Sequence, residues 1–283
     1  MIYECHGHIV LDGVAYTGAA ARHRNGPDKE FIRSNLRTCA NNGITFYRDG
    51  GDKHGASVYA KTIAAEYSID YRTPAYIIHK RGCYGGMFGK AFESISEYRE
   101  LVGEAIRLGA DFIKTTASGL LDFTRGGTVT DSPITQRELY ETIRIAHGEG
   151  CAVMVHANGA DNIKRAVESG ADSIEHGFYM DGPALLMMAQ TGAVWVPTCA
   201  TVANLIGSGR YDDSVLRMIL EWHKETLIEA SETGVPVACG SDSGASYVPQ
   251  GSGARNEMSI LESLGINPGR GNRIIEEVFI RKC

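Results

Sequence analysis

The sequence predicts a parallel, eight-stranded (β/α)₈ TIM barrel that occupies residues 1–283 as a single domain. Short apolar runs alternate with amphipathic stretches along the chain, and several of those stretches end in glycine, a common helix stop. The runs lack clean two-residue alternation, which is typical of strands buried on both faces. An open doubly wound sheet is the alternative, but its Gly-rich phosphate turn after the first run is absent. The eight runs are Ile2–Val10, Ile44–Arg48, Ala75–Ile78, Phe112–Thr115, Ala152–Val155, Asp172–Glu175, Val194–Pro197 and Val235–Cys239.

The stretches between these runs have helical periodicity. Thr135 is expected to cap one helix, because Glu138 follows three residues later in a capping-box pattern. A further short apolar helix, at Ile274–Ile280, is expected to dock either on a neighbouring molecule or on its own barrel. The predicted helices are Glu30–Asn41, Ser94–Leu108, Gln136–His147, Asp161–Ser169, Gly182–Gln190 and Asp213–Glu232.

Composition narrows the possible partners. The net charge of −6, with no basic cluster, gives no support for nucleic acid as a partner. The sequence has neither an apolar run long enough to span a membrane nor a signal-peptide pattern, so we expect no membrane partner and a cytoplasmic location. The cysteines are too few and too scattered for a disulfide framework, and Cys151, Cys199 and Cys239 are expected to be reduced core residues.

Histidines follow or end several of the predicted strands. A barrel carries its active site where the carboxyl ends of the strands meet, which we call the mouth. His6 and His8 are two residues apart on the first strand, so both side chains should point to one face. Two buried imidazoles require partners for their nitrogens, and a divalent metal ion supplies one. Two further histidines, His156 and His176, and one carboxylate, Asp242, end other strands.

Lys114 ends the fourth predicted strand and is expected at the same mouth. An ammonium group there is costly unless it is paired or modified, and a nearby metal ion would repel it. Reaction with CO₂ would convert Lys114 into a carbamate, an anionic ligand able to bridge two metal ions. The simpler alternatives are an unmodified lysine paired with an aspartate near one metal ion, histidines buried for packing alone, and Asp242 as a helix cap.

Six short motifs occur on or next to the predicted strands. They are Cys-His-Gly-His at 5–8, Asn-Gly-Ile-Thr-Phe-Tyr-Arg-Asp-Gly-Gly at 42–51, Ile-Lys-Thr-Thr-Ala-Ser-Gly at 113–119, His-Ala-Asn-Gly at 156–159, Gly-Ala-Asp-Ser-Ile-Glu-His-Gly at 170–177 and Gly-Ser-Asp-Ser at 240–243. Taken together, these motifs resemble the amidohydrolase superfamily, and most closely its imidazolonepropionase-like and Xaa-Pro or Xaa-Arg dipeptidase branch. The resemblance extends from His6 to about Gly265. The chain differs from the family in the absence of segments for the usual flanking β-sandwich, so the barrel is expected to lack that domain.

The resemblance implies a hydrolase with two divalent metal ions that cleaves an amide, cyclic amide or dipeptide bond. One ion would be held by His6, His8 and Asp242, the other by His156 and His176. Carboxylated Lys114 would bridge them, and Asp242 would act as the catalytic base. Zinc suits nitrogen and carboxylate ligands, although manganese, iron or cobalt could replace it. The alternatives are a mononuclear deaminase of the same superfamily and a non-catalytic metal-binding relative.

The small-molecule substrate is expected to be bound by residues of the mouth loops. A free carboxylate on the substrate would need a fixed cation, and arginine binds carboxylates through paired N–H donors. A neutral ring amide or lactone would need none. A homo-oligomer is also expected, because a barrel without the sandwich leaves apolar surface uncovered. The candidate substrate-binding residues are His79, Arg81, Tyr84, Arg125 and Tyr247.

Two further expectations concern charged groups outside this set. Arg48 and Asp49 are adjacent at the end of the second strand and could form an ion pair that supports the site. The remaining histidines lie in predicted loops or helices and are expected to face solvent. They are His23, His54, His147 and His223.

Overall fold

A computed structural model describes residues 1–281, in which parallel strands alternate with helices. The strands are β1 Ile2–Gly7, β2 Ile44–Asp49, β3 Asp70–Arg72, β4 Ile77–Lys80, β5 Gly89–Phe92, β6 Ile113–Thr116, β7 Val153–Ala157, β8 Ser173–His176 and β9 Val194–Val196. The helices are α1 Tyr16–Arg22, α2 Lys29–Asn41, α3 Ala56–Ile63, α4 Ile95–Arg107, α5 Gln136–Gly148, α6 Ala160–Glu168, α7 Gly182–Thr191, α8 Ala200–Ala203, α9 Asp213–Thr233, α10 Ser252–Ser263 and α11 Gly269–Val278. A 3₁₀ turn follows α3 at Ala64–Tyr67.

Six helices were predicted to within two residues at each end, and five of them, all except α6, begin at a side-chain cap. Ser94 and Glu97 form a complete capping box at the start of α4. The Thr135 hydroxyl accepts from the Glu138 backbone N–H at the start of α5, as expected. The unpredicted helices α1, α3, α8 and α10 have no side-chain cap at their first turn, so the strongest start signal is missing from the sequence.

The strands form two parallel sheets. One has the order β1-β2-β3 and the other the order β5-β4-β6-β7-β8-β9. The α/β architecture and the parallel pairing are therefore as predicted, whereas the named strands of residues 1–281 do not make one continuous closed sheet. The break falls where the third predicted strand should run. Pro74 has no N–H to donate, and Ala75 has a φ of 63°, so β3 pairs with β2 while β4 pairs with β6.

The eighth predicted strand, Val235–Cys239, is replaced by an irregular segment that makes single bridges. Val237 bridges Trp195 of β9. On its other side the Cys5 N–H of β1 donates to the Cys239 carbonyl at 2.8 Å. The segment therefore joins the two sheets and carries the chain to Asp242, whose N–H donates to the His6 carbonyl at 2.7 Å.

The end of the two sheets opposite the mouth is covered by α11 and the residue that follows it. Ile275 and Phe279 are fully buried in a cluster with Cys5, Phe46 and Phe112. This helix therefore docks on its own chain, which is one of the two options left by the sequence.

Two other expectations are answered by burial. Cys151, Cys199 and Cys239 are buried, with free thiols, as expected. Among residues 1–281, none of the helices combines the length and the apolar character needed to cross a membrane.

Candidate metal centre

Four polar side chains from three parts of the chain meet at the mouth. His6 lies on β1, His8 follows it, Lys114 lies on β6, and Asp242 follows the segment that joins the sheets. The Lys114 Nζ atom is 3.1 Å from His6 Nε2 and 3.4 Å from His8 Nε2. The Asp242 Oδ1 atom is 3.7 Å from His6 Nε2 and 3.5 Å from His8 Nε2. Two imidazoles, a carboxylate and an amine thus share one small volume.

His156 and His176 lie beside this group. Their ring centroids are 4.5 Å apart, and the His176 ring lies 4.9 Å from the His6 ring. The His156 Nε2 atom is 2.9 Å from the Gly119 carbonyl oxygen, and the His176 Nδ1 atom is 2.8 Å from the Thr198 hydroxyl. Each of these rings therefore has one nitrogen in a hydrogen bond with a neutral group.

The backbone is strained at two of these positions. His176 has a φ of 69° and Asp242 a φ of 61°, in the left-handed region that favours glycine. Such a conformation costs about 1–3 kcal/mol per residue and is common where a side chain must be held at a functional site. The sharp turn after His176 continues into Gly177, which leaves room for the Trp195 indole.

Burial sets the protonation of the site. It lowers the pKa of His156 to about 4 and keeps the pKa values of His6, His8 and His176 well below their usual range. Neutral imidazoles offer the lone pair that a metal ion needs.

The charged partners are shifted in the same way. Burial lowers the pKa of Lys114 to about 8 against the opposing charge of Asp242. Burial also raises the pKa of Asp242 to about 6, and the Lys114 ammonium opposes that shift.

These residues fit a divalent metal ion. Among residues 1–281, one group of three or more His, Cys, Asp or Glu has ligand atoms all within 4.8 Å of one another, and it is His6, His8 and Asp242. Imidazole nitrogens together with a carboxylate oxygen are a donor set that zinc and its neighbours prefer. The His8 Nδ1 atom is buried without a hydrogen-bond partner, so the protein does not fully satisfy one of the two rings.

The group is supported from behind by a glutamate and an arginine whose pairing the sequence did not predict. Glu175, the residue before His176, accepts from His6 Nδ1 at 2.6 Å and from Arg48 Nη2 at 2.8 Å. Arg48 was expected to pair with Asp49, and that prediction is wrong. Asp49 instead accepts from the Ile9 N–H and the Tyr71 hydroxyl. A glutamate within a fully buried strand was the available signal for this contact.

A cavity of about 330 Å³ opens above the metal-binding group. Its floor includes His8, Lys114, His156, His176 and Asp242. Most of its wall is apolar, and among the described lining residues the one arginine is Arg210. The apolar lining includes Leu11, Met87, Phe88, Leu121, Phe123 and Phe178.

The predicted substrate-binding residues fall in different places. Tyr84 lines the cavity, with its ring centroid 4.7 Å from that of His156. His79 is buried and its Nδ1 atom lies 3.0 Å from the Lys80 carbonyl, outside the lining. The Arg81 side chain is 60% exposed and pairs with Glu93.

Arg125 and Tyr247 are also outside the cavity lining. Arg125 is exposed, and Tyr247 is 43% exposed. The arginine that lines the cavity is Arg210, in the segment between α8 and α9, rather than Arg81 or Arg125.

Two of the histidines expected to face solvent are buried. His223 stacks on Phe178 with centroids 3.8 Å apart, and its Nε2 atom lies 3.0 Å from the Pro197 carbonyl. His23 is fully buried, and its Nδ1 atom accepts from the Asp28 N–H. His54 is intermediate, whereas His147 is partly exposed and pairs with Asp172 at 2.8 Å.

Comparison with known proteins defines the class. Residues 28–272 match the amidohydrolase family, so the chain belongs to that family. Uncharacterized proteins of Mycobacterium bovis and Mycobacterium tuberculosis are 30% identical to it over 134 residues. That match covers 45% of this chain and 36% of each mycobacterial protein, so it spans about a third of their length.

Solved structures extend the likeness over nearly the whole fold. A Xaa-Pro dipeptidase with bound methionine has a TM-score of 0.75 at 22% identity, covering 98% of this chain and 72% of its own. A putative prolidase from Bifidobacterium longum has a TM-score of 0.75 at 20% identity, covering 99% and 69%. An ochratoxinase from A. niger has a TM-score of 0.74 at 19% identity, covering 98% and 69%. The superfamily suggested by the sequence motifs is the one that the family match finds, and the dipeptidase and prolidase structures share its fold.

Proposed function

We propose that this protein is a metal-dependent hydrolase that cleaves a carbon–nitrogen bond in an amide, a cyclic amide or a dipeptide. The observation that carries the proposal is the convergence of His6, His8 and Asp242 into one donor group at the base of a cavity. Membership of the amidohydrolase family and the likeness to dipeptidase structures support it.

Two divalent ions, with zinc as the first choice, would be held by separate halves of the site. His6, His8 and Asp242 would hold one, and His156 with His176 the other. Carboxylated Lys114 would join the halves. Its neutral amine would attack CO₂, forming the N–C bond and releasing a proton to give the carbamate. Bound metal ions would lower the pKa of water toward about 7 and stabilise negative charge on the scissile carbonyl oxygen.

The protein's own groups would move the proton. A carboxylate oxygen of Asp242 would accept it from the attacking water and pass it to the leaving nitrogen. The left-handed backbone at Asp242 and the bond from its N–H to the His6 carbonyl hold this side chain at the cavity floor. Tyr84 lies across the cavity beside His156 and could orient the carbonyl.

Arg210 replaces Arg81 and Arg125 as the proposed partner of a substrate carboxylate. It lines the cavity, whereas Arg81 is paired with Glu93. The apolar wall formed by residues such as Phe123 and Phe178 would accept a bulky apolar group on the same substrate. We therefore favour an N-acylated amino acid or dipeptide with a large apolar side chain and a free carboxylate.

A mononuclear deaminase is the second candidate. It is favoured by the fact that His6, His8 and Asp242 already form a complete three-donor group. It is disfavoured by the residues after His156, Ala157 and Asn158, which supply no glutamate to shuttle protons. A non-catalytic relative would bind metal without turnover. Metal counting and the identity of the released amine or ammonia separate the three.

The test compares an apolar dipeptide with its C-terminal amide in wild type and in Arg210→Met, using Arg81→Met and Arg125→Met as matched controls. A charge-assisted contact of about 1.5–3 kcal/mol gives the acid a preference of roughly tenfold or more in kcat/KM. Only Arg210→Met should abolish that preference. Equal rates on acid and amide in wild type would exclude the carboxylate contact and favour a neutral ring amide.

Two predictions from the sequence, on barrel closure and on oligomeric state, remain proposals. The first is that the two sheets function as a single (β/α)₈ barrel, supported by the bonds that join β9 and β1 through residues 236–243. The second is a homo-oligomer. A hydrodynamic radius that matches a single chain at micromolar concentration would contradict the homo-oligomer.

A further inference from the structure

A fully buried ion pair lies behind the metal-binding group. Arg48 Nη2 contacts both carboxylate oxygens of Glu175, at 2.8 and 2.9 Å, and both side chains have no exposed surface. Arg48 also donates to the Cys5 carbonyl at 2.6 Å and to the Ser173 hydroxyl at 2.9 Å. Its guanidinium carbon is 4.3 Å from the centroid of the Phe279 ring, next to α11. The arginine is therefore fixed on every side.

Glu175, held by Arg48, in turn fixes the orientation of the His6 ring through a hydrogen bond. Its Oε2 atom is 2.6 Å from His6 Nδ1, while Ser173 donates its hydroxyl to Oε1. A carboxylate held by an arginine accepts hydrogen bonds and donates none, so Nδ1 of His6 carries the proton. Nε2 then keeps its lone pair, and this is the atom that faces Lys114 and Asp242.

His8 provides an internal contrast. Its Nδ1 atom has no hydrogen-bond partner, and its ring is held by close packing against Gly50. The two histidines of the same motif are thus oriented by different means, one by charge and one by shape.

Stability alone does not explain the ion pair. Burying two charges costs several kcal/mol each in desolvation, and apolar residues of similar volume often stabilise a fold at least as well. By contrast, substitution of a carboxylate that orients a ligand histidine typically lowers metal affinity by about 10- to 100-fold.

We propose that Arg48 and Glu175 are positioning residues for His6: the ion pair fixes the ring orientation and the Nδ1–H tautomer that leave Nε2 free to bind metal. This inference rests on the proposed metal-dependent function, and it makes the bottom of the barrel part of the site.

The experiment measures zinc affinity by competition with a chromophoric chelator. It uses the wild type, Glu175→Gln and the double variant Arg48→Met/Glu175→Gln. The double variant removes both charges, so it avoids leaving one of them buried alone. We expect zinc affinity to fall about 10- to 100-fold in both variants. Wild-type affinity in a folded double variant would overturn the positioning role.

Glu257→Gln is the matched control. Glu257 is also a fully buried carboxylate, but it accepts from the Cys199 and Ala200 N–H groups at the start of α8. Its substitution should lower the melting temperature and leave zinc affinity unchanged. An equal loss of zinc affinity in this control would mean that the effect of Glu175→Gln is a general loss of stability, and would overturn the proposal.

A second readout does not depend on metal. Nitrogen NMR of the metal-free protein should show His6 as the Nδ1–H tautomer in wild type and a different or mixed tautomer in the double variant. The same tautomer in both proteins would overturn the proposal. Absence of zinc binding by wild type would contradict the proposed function, and the tautomer comparison would still decide the positioning role.

Discussion

The two halves of the candidate metal centre are held in place differently. On one side, His6 is oriented by the buried charge of Glu175, and its Nε2 atom meets His8 and Asp242 in a compact group. On the other side, His156 and His176 are oriented by the neutral Gly119 carbonyl and the Thr198 hydroxyl. The first half is a group of three donors, whereas the proposed second half would need a bridging ligand.

The difference predicts an order of metal binding. Hydrogen bonds to charged groups contribute about 1.5–3 kcal/mol, compared with about 0.5–1.5 kcal/mol for neutral ones. The half that contains His6 should therefore bind the first ion tightly. The half that contains His156 should bind a second ion more weakly and should need Lys114 to do so. The predictions below test that asymmetry.

The largest expected effect comes from Asp242→Asn. The amide can still lie beside His6 and His8, so most metal should remain bound, but it cannot take the proton of the attacking water. Turnover should fall by roughly 10²–10⁴, the usual contribution of a positioned general base. Steady-state kinetics on the best dipeptide, with metal content measured on the same sample, provide the check. Turnover close to wild type would remove Asp242 from the mechanism.

Lys114→Ala should reduce the metal content from about two ions per chain to about one, because the second half loses its bridge. Elemental analysis after incubation with bicarbonate and excess zinc measures this. The remaining ion should belong to the half with His6. If the wild type itself binds a single ion under these conditions, the bridging role of Lys114 is wrong and the mononuclear alternative gains support.

His6→Ala and His156→Ala compare the halves directly. Loss of His6 should weaken the tighter zinc site by about 100-fold or more, whereas loss of His156 should leave that site almost unchanged and weaken only the second. Isothermal titration with zinc resolves the two events. The opposite order, with the tighter site lost in His156→Ala, would contradict the asymmetry.

The smallest effect is expected for Thr198→Val, which removes a neutral hydrogen bond from His176. A loss of about 0.5–1.5 kcal/mol corresponds to a two- to tenfold weaker second zinc site, with the first site unchanged. Thr226→Val is a suitable control, because Thr226 donates to the Trp222 carbonyl within α9, away from the metal centre. A similar loss in the control would assign the effect to general destabilisation.

Much of this site could be predicted from the sequence, because its polar side chains lie on or just after strands. A parallel barrel brings the carboxyl ends of its strands together independently of the loops. Assignment of the strands therefore predicts that four side chains converge, namely His6, Lys114, His156 and His176. The same logic located helices with clear caps, such as α4 and α5. The interruption of the third predicted strand was harder to predict. Pro74 marks a break in the sequence, but it does not reveal that β3 pairs with β2 while β4 pairs with β6.

The supporting and substrate-facing residues were harder still. Arg48 lies next to Asp49 in sequence, yet its partner is Glu175, and only the packing of β2 near β8 across the barrel interior decides this. The substrate loops have no periodicity that would show which arginine turns inward. The cavity lining therefore contains Arg210, whereas Arg81 points to solvent and pairs with Glu93.

Gly50 has no side chain to take part in chemistry, yet the position of the His8 ring depends on it. A Cβ atom at this position would lie 2.1 Å from His8 Cε1, closer than two carbon atoms can approach. Even alanine would push the imidazole out of line. In a saturation-mutagenesis library, this residue with no side chain should therefore tolerate as little change as the histidines themselves. If the proposed function holds, adaptation of this chain to new substrates would change residues of the cavity wall and leave Gly50 unchanged.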